Sequence, residues 1–170
     1  MATAKTPTVR SLSAKELDQL RPLWIGLHRH HKEVSDFRDL VEDDELSWER
    51  RRELYRGWLE EGTALVLSVE LEDVPVGYAT VHFVPGPDDT FAVGERYAEL
   101  YSLFVAPEQR DAGIGSMLMA EIDDRLAAAG VHDLAVSVMA GNDDALRFYL
   151  RRGLRPAEVV LWRIGGPSRG

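Results

Sequence analysis

The residues Arg110-Asp111-Ala112-Gly113-Ile114-Gly115 join a fixed cation to two glycines just ahead of an amphipathic run. Upstream, Glu99 to Pro107 reads as a strand and its exit. Downstream, Ile114, Met117, Leu118, Ile122 and Leu126 recur at helical spacing. A helix that starts from a glycine turn leaves backbone N–H groups unpaired and pointing outward. With the helix dipole they suit an anion, and phosphates can approach a backbone that carries no side chain. A Walker loop would end in Gly-Lys-Ser/Thr, but Gly115-Ser116 lacks the lysine. A dinucleotide loop would place a third glycine where Leu118 stands. The pattern left is Arg/Gln-x-x-Gly-x-Gly/Ala, which fits. Paired glycines at a helix start also serve packing alone, so the loop by itself leaves both readings open.

A second segment narrows the choice. It runs Asn142-Asp143-Asp144-Ala145-Leu146-Arg147-Phe148-Tyr149-Leu150-Arg151-Arg152-Gly153-Leu154. Together the two segments resemble the GCN5-related N-acetyltransferase superfamily. They match its phosphate-loop motif and its Asn-x-x-Ala-x-x-Phe-Tyr-x-x-x-Gly-Phe motif at the usual separation. The resemblance extends in element order over residues 8–164. It implies acetyl-CoA as donor and cosubstrate, the primary amine of a small molecule as acceptor, and direct transfer in a ternary complex without a metal. Two departures stand out. Asp111-Ala112 occupies the place where the family often has glycine and a basic residue, and Leu154 replaces a phenylalanine.

The implied reaction needs proton transfers on two sides. An alkylammonium, with a pKa near ~10, cannot attack until it loses a proton, and the departing thiolate needs one. The resemblance makes Tyr149 the acid beside the CoA sulfur; packing against the sheet is the plainer alternative. Glu99, an acid on an otherwise apolar strand, resembles the base of the histone-acetylating members and would act through water. Burial would raise its pKa toward a useful value; a solvated strand end is the alternative. The family pattern also implies that amides of Asp111, Ala112, Gly113, Ile114, Gly115 and Ser116 hold pyrophosphate, beside Arg110. Leu103, Phe104 and Val105 would pair with the pantetheine arm as a pseudo-strand. Asn142 would bond the same arm, cap a helix, or do both.

His28, His30 and His31 cluster near the end of the first expected helix. His28 and His31 are three apart and share a face, so they are the expected acceptor-binding pair. One of them would orient the substrate or replace Glu99 as base; a polar helix end is the plainer reading. No carboxylate or cysteine spacing completes a metal site. His82 lies within a strand. Asp39, Glu42, Asp43, Asp44 and Glu45 form either an acidic lip for a cationic acceptor or a solvated loop.

The elements that would carry these residues follow from periodicity and punctuation. Val9 to Leu12 reads as a strand. A helix with Leu17, Leu20, Trp24, Leu27 and His31 on one face follows, with Pro22 in its first turns or dividing it. A second helix carries Trp48, Tyr55, Trp58 and Leu59 and ends at Gly62. Thr63 to Leu71 and Val76 to Val84 form a hairpin about Glu72-Asp73. Strands follow at Tyr97 to Val105, Asp133 to Met139 and Val159 to Ile164, separated by helices that end at Gly130 and Gly153. The expected fold is therefore α/β, β-α-α-β-β-β-α-β-α-β: a single domain over 8–164, with a mixed, mostly antiparallel sheet and flanking helices. Segments 1–7 and 165–170 are expected to be loose.

Composition sets outer limits. The chain has 170 residues, enough for one domain with a real core. It has no cysteine, which excludes a cysteinyl acyl intermediate and disulfides. A net charge of −9 disfavours a nucleic-acid partner. No run approaches the roughly 18–20 apolar residues of a membrane span, and Met1 to Thr8 has no apolar signal core. A cytoplasmic setting is expected, and the last strand would support a homodimer. Protein N-terminal or lysine acetylation, and a non-catalytic acyl-CoA-binding module, are the competing functions. Tyr149 and Glu99 argue against the module, since a pure binder needs neither.

Overall fold

The computed structural model describes residues 6–166. The expectation of loose termini therefore falls largely outside the described residues. Strand β1 is Thr8–Ser11. Ser13 then opens a 3-10 helix, Ala14–Leu20, with its amide donating to Glu16 Oε2 at 2.9 Å. Pro22 lies in the first turn of helix α1, Arg21–Val34, where its missing N–H removes no helical bond. The proline thus divides the expected first helix into a tight turn and an α-helix. Helix α2, Asp44–Glu61, is capped by Asp43, whose Oδ1 accepts from the amides of Glu45 and Leu46 at 2.9 and 3.1 Å. It stops at Gly62, whose φ of 72° suits glycine.

Strands β2, Ala64–Leu71, and β3, Val74–Pro85, form the expected hairpin. Glu72 and Asp73 turn it with φ of 52° and 62°, the left-handed pair of a tight hairpin turn. Strand β4 is Arg96–Val105, helix α3 Ile114–Ala128, strand β5 Leu134–Val136 and helix α4 Asp143–Leu150. The sheet order is β1-β2-β3-β4-β5, antiparallel except for the parallel β4–β5 pair.

Alternation along the strands sends side chains to two apolar clusters. Leu67, Val69, Ala79, Val81 and Leu100 pack with Ile114, Leu118 and Ile122 of α3. Val66, Tyr78 and Phe104 pack with Leu17, Leu20, Trp24 and Tyr55. Neighbouring residues such as Val66 and Leu67 thus enter opposite layers, as strand geometry requires.

One irregularity shapes the site. Thr80 faces Ser102 across β3–β4, but Val81 faces Leu100, so Tyr101 is an extra residue in β4. Such a bulge bends the strand and ends local pairing. Beyond it β4 loses β5, whose register spans only Ala98–Leu100 against Leu134–Val136. The expected strand Asp133 to Met139 is accordingly short.

The last expected strand does not join the sheet. Val159 to Ile164 carries strand-forming side chains, yet Val159, Leu161 and Trp162 are 86%, 88% and 73% exposed. Strand propensity is realised only against a partner, and the nearest edge, β5, offers only Leu134–Val136. The observed order ends at α4.

Candidate active site

The separation of β4 from the chain after β5 opens a cleft of about 730 Å³. One wall is Leu100 to Val105 of β4, the other Val136 to Met139, and the ends are closed by the start of α3 and by α4. β4 has only β3 as neighbour past Tyr101. The outer backbone edge of Leu103 to Val105 therefore faces the gap.

After β4 the chain makes a short 3-10 turn, Pro107–Gln109, then reaches Asp111 with φ 64° and Gly113 with φ 79°. Both are left-handed. Aspartate is among the better-tolerated non-glycine residues there, which explains how Asp111 stands where glycine is usual. Its side chain is exposed. The first hydrogen bond of α3 runs from the Met117 amide to Gly113 O at 2.9 Å. The N–H groups of Ile114, Gly115 and Ser116 have no acceptor within the helix. The two glycines differ in purpose. A Cβ on Gly113 would meet nothing within 4 Å, so backbone conformation selects that glycine. A Cβ on Gly115 would stand 3.2 Å from Phe148 Cε2, so packing selects that one.

Arg110 comes with the loop, its guanidinium 5.7 Å from the Phe104 ring centre. Three more arginines line the cleft, Arg147, Arg151 and Arg152. Arg152 lies 3.6 Å over the Phe148 ring and donates to Ser116 Oγ at 2.5 Å and Phe148 O at 3.1 Å. Arg147 pairs with Asp144. Sequence reasoning quoted these three residues but gave them no role. Their spacing along α4 and its exit was the available signal. In a chain of net charge −9, four arginines and a helix N-terminus on one cleft give it local positive charge.

Tyr149 is 8% exposed and lines the cleft. Burial pushes its phenol up to about 12, with the positive charge of Arg152 acting weakly the other way. It is therefore a protonated donor at neutral pH. Asn142 also lines the cleft, and its Oδ1 caps α4 by accepting from the Ala145 amide at 3.3 Å.

Glu99 stands apart from the cleft lining. It faces His82 across β3–β4, with Oε2 3.9 Å from His82 Nδ1, and its side chain is 39% exposed. The burial expected of it is thus absent. His82 stacks on Trp58 at 4.0 Å, and Trp58 meets Tyr101 edge-on at 4.8 Å. Tyr101 lines the cleft, so a row of rings runs from His82, beside Glu99, to the cleft.

The histidines divide. His28 is 6% exposed, with Nε2 2.7 Å from Val41 O and its ring stacked on Trp24. It ties α1 to the loop before α2 and does not line the cleft. His31 does, and so does His30. Helical geometry puts Leu27, His30 and His31 on one face, a set that the 28/31 spacing overlooked. Burial, helped by the charges of His30, His28 and Arg51, pulls His31 down to about 4. Burial and Arg110 also lower His30.

Three acids of the acidic segment are occupied by structure. Asp43 caps α2, Asp44 pairs with Arg29 and Lys32 at 2.7 and 2.9 Å, and Glu45 pairs with Arg21. Among the described residues there is no group of three or more His, Cys, Asp or Glu side chains suited to a metal ion. No helix among them is long and apolar enough to cross a membrane.

The profile of the Acetyltransferase (GNAT) family matches residues 30–154. A mycothiol acetyltransferase of Kocuria rhizophila is 30% identical over 126 residues, covering 74% of this chain and 37% of that protein. The chain thus spans well under half the length of this relative. Among solved structures, a GCN5-related N-acetyltransferase from Ralstonia eutropha JMP134 superposes with a TM-score of 0.71 at 18% identity, over 95% of this chain and 100% of that one. The aminoglycoside N-acetyltransferase AAC(6')-Iy, solved in complex with CoA, gives 0.71 at 16% identity, over 98% and 99%. These two likenesses concern the fold. With the match over residues 30–154, the chain belongs to the GNAT acetyltransferase family.

Proposed function

We propose that this chain transfers an acetyl group from acetyl-CoA to the primary amine of a small molecule. The observation that carries the reading is the cleft itself. It joins an arginine-rich helix start to a buried, protonated Tyr149 along an unpaired strand edge.

The residues present fit acetyl-CoA. Free amides at Ile114, Gly115 and Ser116, with Arg110 and Arg152 beside them, suit a pyrophosphate. The open side of Gly113 leaves room for it. The outer edge of Leu103, Phe104 and Val105 suits the amide groups of the pantetheine arm. When bound, acetyl-CoA supplies the acyl thioester. Tyr149 then gives a proton to the leaving sulfur, and an amide N–H of the strand edge stabilises charge on the carbonyl oxygen. Glu99 removes the ammonium proton through water, while neutral His31 and His30 accept hydrogen bonds from the amine. Relatives named as mycothiol and aminoglycoside acetyltransferases support a small-molecule acceptor. A cysteine-free chain is compatible with a reducing, cytoplasmic setting.

The exposed run Val159 to Ile164 and the open edge of β5 support self-association as a homodimer. Each is a partner that the other lacks within one chain.

The test is release of free CoA thiol on mixing the protein with acetyl-CoA and a panel of amines. The chain has no cysteine, so a thiol reagent reads CoA alone. Tight CoA binding without thiol release from any amine would replace the enzyme by a binding module.

A further inference from the structure

Helix α2 carries a run of arginines whose fates differ. Arg52 pairs with Asp18 at 2.7 Å, and Arg56 pairs with Glu53. Arg51, on a different face of the helix and half-buried, has neither a carboxylate nor a hydrogen-bond acceptor among the described residues. Its guanidinium is held between rings instead, 4.1 Å from the centre of Trp24, 4.6 Å from Tyr101 and 5.6 Å from Tyr55. In a chain with 29 acidic and 20 basic residues, an unpaired half-buried cation is a selective arrangement. Stacking satisfies the faces of the guanidinium but not its edge, where five N–H donors lie in a plane.

Arg51 lines one space and touches the wall of another. Tyr101, against which it stacks, lines the acyl-transfer cleft. Arg51 itself lines a recess of about 200 Å³ with Trp24, Ser47 and Arg50. No acidic side chain lines that recess, and the nearby acids Asp44 and Glu45 are engaged with Arg29, Lys32 and Arg21. Three of the five acids of the expected lip are thus spent on structure, while a fixed cation stacks on Tyr101 of the cleft wall.

The geometry points to Arg51 as the binding group for a carboxylate on the acceptor, so that the substrate is an amino acid or another amine with a nearby carboxylate. This rests on the acetyl-transfer reading for the word acceptor, but the anion site itself does not. A carboxylate takes the free edge of the guanidinium by two parallel N–H···O bonds, the arrangement that planar edge is shaped for. The rings hold Arg51 in place beforehand, so little further ordering is needed on binding. The amine end of the same molecule then reaches past Tyr101 toward His31 and the thioester.

The experiment compares matched pairs. N-acetyl amino acids with varied side chains, and the same N-acetyl amines lacking the carboxylate, are titrated calorimetrically into the CoA-loaded protein. The carboxylated member of at least one pair is expected to bind about tenfold or more tightly, the size of a hydrogen-bonded charge pair. Arg51→Met removes that preference and leaves CoA affinity unchanged. Arg51→Lys, which keeps the charge but not the planar edge, retains part of it. Equal binding within every pair, no binding of any carboxylate, or a preference that survives in Arg51→Met overturns the proposal. Thiol release is then read with the parent amines. An Arg51-dependent preference in binding without transfer to any amine keeps the anion site and removes the acetyltransferase reading.

Discussion

Gly115 lies against the Phe148 ring so closely that a methyl group on its Cα would stand 3.2 Å from Phe148 Cε2. This contact joins the start of α3 to α4, and Arg152 lies 3.6 Å over the same ring. Gly115→Ala should therefore push the two helix ends apart and weaken CoA binding several-fold, with a small loss of stability. Gly113→Ala should behave differently. Its side chain has space, but φ of 79° is strained for an L-residue by roughly 1–2 kcal/mol. Thermal melts and CoA calorimetry on both variants check this. Equal effects on Tm and affinity from the two would remove the distinction.

Tyr149→Phe keeps the buried ring and deletes the proton. General acids typically contribute about 10²–10⁴-fold, so kcat should fall by roughly a hundredfold or more, with little change in CoA affinity. Because burial holds the phenol up to about 12, wild-type activity should show no loss from its ionisation through pH 9. A Phe variant with unchanged kcat would leave Tyr149 as a packing residue.

Glu99→Gln tests the base. If Glu99 takes the ammonium proton through water, the low-pH limb of the kcat/KM profile should flatten while CoA affinity stays the same. A profile that keeps its shape moves the role to the histidines inside the cleft.

The fold was largely legible because each punctuation mark had a local cause. Gly62, Gly130 and Gly153 stop helices, and Glu72-Asp73 turns a hairpin, whatever the rest of the chain does. The phosphate loop was legible for the same reason: it lies on contiguous residues. What depended on three dimensions was harder to read. Glu99 is acidic on an apolar strand, but only cross-strand register shows His82 beside it, with the rings of Trp58 and Tyr101 leading on to the cleft. His28 and His31 share a helix face by spacing, yet the loop carbonyl of Val41 claims His28. The bulge at Tyr101, which opens the cleft, has no glycine or proline to announce it. The final strand was misjudged because propensity is a property of the segment and pairing is not.

His31 should make stability depend on pH. Its imidazole is pulled from an ordinary 6.5 down to about 4 in the fold, mainly by burial. Below 6.5 the unfolded chain takes up a proton that the native state refuses. The stabilisation is therefore complete above that pH and is lost as pH falls toward about 4. His31→Gln should reduce the fall in Tm across this window relative to wild type, with His30, also lowered, contributing to what remains. Parallel Tm curves for the two proteins would mean that His31 titrates normally.

Self-association should depend on the run from Val159 to Ile164. Leu161 and Trp162 are 88% and 73% exposed, and β5 closes the sheet with an open edge. An unpaired edge beside an unpaired apolar strand favours reciprocal exchange between two copies, each strand completing the other's sheet. Such pairing would extend β5 into Ser137, Val138 and Met139, which line the cleft, so it should also firm the wall against which the acceptor binds. Sedimentation velocity across a range of concentrations should show a dimer for the wild type. The double change Leu161→Asp, Trp162→Asp should give a monomer with a higher KM for the acceptor. A wild-type chain that sediments as a monomer at every concentration would leave the exposed run without this role.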